Sequence, residues 1–221
     1  MRTAPRGFTL VELAVVLAIF GLLLGIMVIP LGTQVDQRRF AEAERQLAAV
    51  HEALLGFAIA NGRLPCPANP AIASGTPNAG AENKPGAACA AAEGALPWTT
   101  LGVPELDPWG LRLTYRVTPA FADDPPGGMQ ATLLVTDNGN ITITGGPTNI
   151  AAVVVAHGKN GLGAFRPDGS QVPGAAGNEL ENANNNATFV SQLPGPGFDD
   201  VLLWVSPNVL KSRLVAANRL P

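Results

Sequence analysis

Residues 6–31 read RGFTLVELAVVLAIFGLLLGIMVIPL, and the reading of this stretch decides the fold. From Phe8 to Leu31 the one ionisable side chain is Glu12. As a helix the run would be about 36 Å long, enough to cross a hydrocarbon core of about 30 Å. A secretory signal peptide needs a shorter apolar core, about 7–15 residues, followed by a small-residue cleavage site. Here Pro30-Leu31-Gly32-Thr33-Gln34 leads into a further helical pattern instead. A plain membrane anchor fits the length but leaves Glu12 unexplained, because a carboxylate near the start of a membrane helix is costly and usually has a partner.

Arg6-Gly7-Phe8-Thr9-Leu10-Val11-Glu12 ahead of a long apolar run resembles the prepilin leader and cleavage site of type IV pilins and type II secretion pseudopilins. The resemblance implies cleavage between Gly7 and Phe8 by a membrane aspartyl prepilin peptidase, which then methylates the new α-amino group of Phe8. It also implies a role for Glu12. Inside an apolar filament core its carboxylate would neutralise the cationic N-terminus of an adjoining subunit, and an unpaired charge there would be strongly unfavourable. Gly7 offers an unhindered backbone to the peptidase. Gly21 and Gly25 form a G-x-x-x-G pair that permits close helix approach, although glycines are common in membrane helices generally. Pro30 is expected to kink or locally melt the helix. Arg2 and Arg6 precede the run and Arg38 and Arg39 follow it, so the positive-inside rule gives little asymmetry. The resemblance, not the charge count, places the leader in the cytoplasm, the helix in the bacterial inner membrane and the rest in the periplasm.

After Pro30 the pattern becomes amphipathic. Val35, Phe40, Leu47, Val50, Leu54, Phe57 and Ala58 recur at helical spacing between polar residues. Asn61-Gly62, with Pro65 close behind, reads as the stop. The chain is thus expected to divide into a leader (1–7), an assembly helix (8–31), its amphipathic continuation (32–62) and a β-rich head with a C-terminal helix (63–221). That is an α+β, pilin-like fold with a long N-terminal helix on an antiparallel sheet. His51 reads as a surface or interface residue.

Residues 66 to about 106 are mostly Ala, Gly, Pro and Asn, and read as an extended excursion anchored at Leu96, Pro97, Trp98 and Leu101. Cys66 and Cys89 bracket its first half. In an oxidising periplasm they are expected to pair, since neither a C-x-x-C nor a nearby histidine points to redox or metal chemistry. Alternating apolar and polar residues over 111–117 predict a half-buried strand, and 131–136, 140–144 and 150–156 predict three more, with Asp137-Asn138-Gly139 as a hairpin turn. A polar, Asn-rich loop (158–192), a strand at 200–205 and a helix opening at Ser206-Pro207 complete the reading. Val209, Leu210, Leu214 and Val215 give that helix its apolar face.

Asp107-Pro108-Trp109-Gly110 resembles an element of type II secretion major pseudopilins, as does Phe198-Asp199-Asp200-Val201 leading to Trp204. Segments 66–95 and 158–192 have no obvious counterpart there. The resemblance implies a calcium-binding loop near the C-terminus, for which Asp168, Asp199 and Asp200 supply oxygen ligands. No EF-hand spacing is present, and Asp199-Asp200 reads equally well as a turn pair.

The net charge is −3, and loss of Arg2 and Arg6 with a leader would take it to −5, which disfavours a nucleic-acid-coating surface. A local basic patch from Arg112, Arg116, Lys159 and Arg166 would be the route to a DNA-uptake pilin. His157-Gly158-Lys159-Asn160-Gly161 lacks the spacing and the hydroxyl of a phosphate loop. With two histidines, no G-x-S-x-G and no H-E-x-x-H, the sequence offers no catalytic constellation. The expectation is a non-enzymatic minor pilin or pseudopilin whose partners are the prepilin peptidase, other pilins and an inner-membrane assembly platform. The rival from another class is a periplasmic enzyme or binding domain on an uncleaved anchor.

Overall fold

Thr9 opens the first helix with a reciprocal cap. Its N–H and hydroxyl both donate to Glu12 Oε2 at 2.9 Å, and the Glu12 N–H donates to Thr9 Oγ1 at 3.2 Å. This is a capping box, in which the cap residue and the residue three positions on satisfy each other's polar groups. The computed structural model describes residues 7–124, 129 and 139–220, leaving out the side chains of 24–31 and 33. Helix α1, Leu10–Asn61, ends where the sequence places its stop. Gly62 turns left-handed (φ +69°), and its N–H bonds to Ala58 O at 2.9 Å. Arg219 then donates to Ile59 O and Ala60 O, each at 3.0 Å, satisfying carbonyls that a helix end leaves open.

The chain divides into two units, Met1–Arg39 and Phe40–Pro221. In the first, the described apolar side chains stand exposed, Phe8 by 87% and Phe20 by 60%. Among the described residues no helix is long and apolar enough to cross a membrane. The expected span reaches through residues 24–31, whose side chains, Pro30 among them, lie outside the description, as does Gly25.

In the second unit, α1 contributes Ala43, Leu47, Val50, Leu54, Leu55 and Ala58 to the core. The expected stripe therefore holds at Leu47, Val50, Leu54 and Ala58, while Phe40 and Phe57 are only half-buried. Strands β1 (Glu93–Ala95), β2 (Thr114–Val117), β4 (Ala152–Ala156) and β6 (Val201–Val205) form an antiparallel sheet in the order β1-β2-β4-β6. Strand β4 explains why its sequence is a continuous apolar run. Val154 packs into the cluster built on α1, whereas Val153 and Val155 face a second cluster with Ile141, Ile143, Ile150 and Phe189. A strand covered on both faces has no polar side to show. The second cluster is roofed by a two-stranded parallel sheet, β3 (Thr142–Thr144) with β5 (Thr188–Val190).

Several expectations are corrected. Residues 112–117 do not alternate between core and solvent: Arg112 and Thr114 are buried along with Leu113, Tyr115 and Val117. Arg112 bonds to Glu105 Oε1 (2.9 Å), Pro70 O (2.8 Å), Ser74 Oγ (3.1 Å) and Pro167 O (3.0 Å), and its guanidinium lies over Trp98. The polar positions thus face a layer of loops and not water. The 66–106 excursion supplies β1 and a short helix α2 (Trp98–Leu101); α3 (Pro119–Ala122) follows β2, and the 158–192 loop contains α4 (Gly177–Glu181) and β5. Helix α5 (Pro207–Ala216) starts as expected, with Ser206 Oγ accepting the Val209 N–H at 3.3 Å. It buries Pro207, Leu210 and Leu214, but Val209 and Val215 are exposed. The strand expected at 131–136, and residues 137 and 138 of its turn, lie outside the described residues.

Cys66 and Cys89 form a disulfide. Its loop is pinned by Glu82, whose carboxylate takes two bonds from Arg63 at 2.8 Å and one from the Cys66 N–H at 3.2 Å.

Candidate metal centre and N-terminal motif

Where β6 begins, Asp199 and Asp200 meet Glu179 of α4. One carboxylate oxygen from each of the three lies within 4.8 Å of the others. Tight turns build the approach. Gly158 (φ +62°) passes so close that a Cβ there would fall 2.3 Å from Asp199 O, so this position excludes a side chain on both strain and space. The turn aims two backbone donors at Asp199 Oδ2, Lys159 N–H at 2.8 Å and Asn160 N–H at 3.0 Å. The Asn160 side chain reaches the other way and donates to Glu179 Oε1 at 2.7 Å. Buried Asn182 donates to Asp200 Oδ2 at 2.8 Å and exchanges bonds with the Val190 backbone.

Two oxygens are left over. Asp199 Oδ1 and Asp200 Oδ1 are buried without a hydrogen-bond partner. His157 Nδ1 stands 3.7 Å from Asp200 Oδ1, too far for a hydrogen bond, while His157 Nε2 meets Thr114 Oγ1 at 2.8 Å. Burial, and then the neighbouring Glu179 and Asp200 charges, push the Asp199 carboxyl above its ordinary range, against the pull of the two backbone donors. Crowded carboxylates with unspent buried oxygens call for a cation or a proton. The all-oxygen donor set suits a hard divalent ion such as calcium, which takes six to eight oxygens from carboxylates, carbonyls and water. Glu179, Asp199 and Asp200 are the residues that would hold it.

Of the aspartates singled out by sequence, Asp199 and Asp200 come together here and Asp168 does not. Its Oδ1 accepts the Ser170 N–H (2.8 Å) and hydroxyl (2.6 Å) in an exposed turn. Those bonds hold its carboxyl below the usual range. Glu179, missed in the sequence, sits in a segment without strong periodicity, and no spacing links it to Asp199. The basic residues form no patch as a set: Arg112 is buried, and Arg116 is paired with Glu93 at 3.2 Å.

At the other end of the chain, Gly7 and Phe8 are exposed immediately ahead of the capped start of α1. A Cβ on Gly21 would meet nothing within 4 Å, so this helix face is open to close approach. The family model of the prokaryotic N-terminal methylation motif matches residues 2–28. The chain carries the prokaryotic N-terminal methylation motif. The methylation motif contains Gly7, Phe8, Thr9 and Glu12, and its presence agrees with the type IV pilin-like resemblance of residues 6–12. It ends well before the acidic cluster, so it bears on the N-terminal segment and not on residues 179–200. No curated protein and no solved structure matched the chain.

Proposed function

We propose that this chain is a minor pilin or pseudopilin subunit of a type IV pilus or a type II secretion pseudopilus. Prepilin peptidase cuts between Gly7 and Phe8 and methylates Phe8. The helix from Phe8 leaves the inner membrane and packs among its counterparts, with Gly21, Gly25 and Pro30 shaping the approach, and the periplasmic head rides on the filament. The methylation motif at residues 2–28 carries this reading. The exposed apolar side chains from Phe8 to Leu23 support it, since a patch of that kind needs lipid or protein cover. The capping box adds a detail: before assembly Glu12 already has a local partner in Thr9, so pairing with a neighbour's amine exchanges one set of bonds for another. A DNA-uptake role is less favoured, because Arg112 and Arg116 are spent inside the head. Intact and N-terminal mass spectrometry, with and without prepilin peptidase, tests the proposal. A chain beginning at N-methylated Phe8 only when peptidase is present supports it; a retained leader with active peptidase overturns it in favour of an anchored periplasmic domain.

The head, on this reading, holds a structural calcium ion through Glu179, Asp199 and Asp200. The unspent oxygens of Asp199 and Asp200 motivate the assignment. An ion there would tie the turn at 158–160, α4 and the start of β6 into one body. Thermal unfolding with calcium and with a chelator tests it, and identical melts would refute it.

A further inference from the structure

A cavity of about 260 Å³ opens on the head between the 66–95 excursion, the 165–171 hairpin and the Asn-rich turn at 183–185, which directly follows Asn182 of the acidic cluster. Its walls include Glu93, Phe165, Gln171, Asn184 and Asn185. The volume lies just below the roughly 300–1,000 Å³ of pockets that take drug-sized molecules, and so suits one six-membered ring.

The bonding around the cavity decides which groups remain for a ligand. Arg116 donates to Glu93 Oε2 at 3.2 Å and to Asn185 at both its backbone O (3.4 Å) and its Oδ1 (3.2 Å). Asn185 therefore has its amide oxygen committed and its NH₂ unspent. Gln171 gives its NH₂ to Gly163 O at 2.8 Å, which leaves Oε1 as an acceptor. Glu93 keeps Oε1. Asn184 has both ends of its amide engaged, with Glu181 and with the Asn186 N–H, and serves to hold the turn. Arg116 Nε is buried without a partner beside this group. The turn itself is fixed, with Asn185 in the left-handed region at φ +59°.

What remains is the Asn185 amide donor, the Gln171 and Glu93 acceptors and the half-buried ring of Phe165, with the unpartnered Arg116 Nε–H buried beside them. The one formal charge pair, Glu93 with Arg116, is already closed. An anion would meet the Glu93 carboxylate, and a cation would meet the arginine. An apolar ligand would cover the amide and carboxylate groups without giving them hydrogen-bond partners. Hydroxyl groups both donate and accept, so a ring carrying several of them can satisfy donor and acceptors at once while its C–H face rests on Phe165.

We propose that this cavity is a binding site for a neutral pyranose, free or as the exposed residue of a polysaccharide, with Asn185 and Gln171 as its directing polar contacts. The test uses the full chain purified in a zwitterionic, sugar-free detergent. Saturation-transfer NMR is run with methyl glycosides of glucose, galactose, mannose and N-acetylglucosamine, and with their trisaccharides. At least one pyranoside is expected to bind with a dissociation constant of about 1 mM. A polymer ligand will show as markedly tighter binding of the trisaccharide, a free sugar as equal binding of the two forms. Gln171→Ala and Asn185→Gly, both at exposed positions and the latter compatible with the left-handed backbone, each give up one hydrogen bond within the head and should each weaken binding about five-fold or more while the protein stays folded. Leu193→Ala, on an exposed loop outside the cavity, should bind as the parent does. No saturation transfer from any probe at about 10 mM would overturn the proposal. So would undiminished transfer in the Gln171→Ala, Asn185→Gly double variant.

Discussion

Arg112 Nε lies 2.9 Å from Glu105 Oε1 with the arginine side chain wholly enclosed. The same guanidinium bonds to Pro70 O, Ser74 Oγ and Pro167 O, so one side chain joins the 66–74 excursion, the 105 loop and the 167 turn to β2. Ser74 also donates to Glu105, closing the group.

Removing that guanidinium leaves the half-buried Glu105 carboxylate with the Ser74 hydroxyl but without its charge partner, and Pro70 O without the arginine donor. Arg112→Ala is therefore expected to cost about 3–5 kcal/mol, the range for breaking one partner of a buried pair. Arg166→Ala, on a half-exposed side chain, should stay within about 0.5 kcal/mol. Denaturant unfolding of both variants gives the comparison, and an equal, small loss at the two sites would contradict the role given to Arg112.

The disulfide closes a loop across 23 residues that has few core anchors of its own. In the loop-entropy model such a closure contributes about 3 kcal/mol. The Cys66→Ser, Cys89→Ser double variant should lose about that much, and reductant should lower the parent's melting temperature but not the variant's. Insensitivity of the parent to reductant would show that the Arg63–Glu82 pins suffice.

Asp107 has one oxygen bonded by the Trp109 and Leu111 N–H groups, at 2.9 Å each, and the other buried without a partner. Burial pushes its carboxyl up, against those two donors. A carboxyl raised by folding contributes stability that is complete below its unfolded value and is lost as pH rises through its folded value. Asp107→Asn keeps the bonded oxygen and removes the charge. It should flatten the fall in stability across the acid range and be more stable than the parent at pH 7. Parallel pH–stability curves for the two proteins would be the contrary result.

At the acidic cluster, calcium at 100 times its dissociation constant should raise stability by about 2.7 kcal/mol. Glu179→Gln and Asp199→Asn should lose that increment. In a chelator they should be as stable as the parent or more so, because they relieve like-charge crowding. Asp168→Asn should keep the full calcium response. A response lost in Asp168→Asn and retained in Glu179→Gln would move the site.

Local signals were the readable ones. Asn61-Gly62 and Ser206-Pro207 mark helix ends through the chemistry of the residues themselves, and the structure uses both. The apolar run at 150–156 was visible as a strand because burial on both faces leaves a pattern in the sequence. Arg112 was unreadable for the converse reason. A charged residue at an alternating position looks solvent-facing until the loops that cover it are known. Val209 and Val215 share α5 with Leu210 and Leu214, yet the core reaches only one side of that helix. Two of the three acidic residues of the candidate site could be named from Asp199-Asp200. Glu179 could not, since its part depends on a long polar segment folding back over β6.

The bonds from Arg219 to Ile59 and Ala60 span 160 and 159 positions of the chain. During synthesis the downstream end of α1 leaves the ribosome long before its fastener is made. Until then that terminus has to rely on Gly62 and on water. The ordering gives such a chain an interval in which its first helix is complete and exposed while the head is still unclosed, the interval in which the proposed processing would find it.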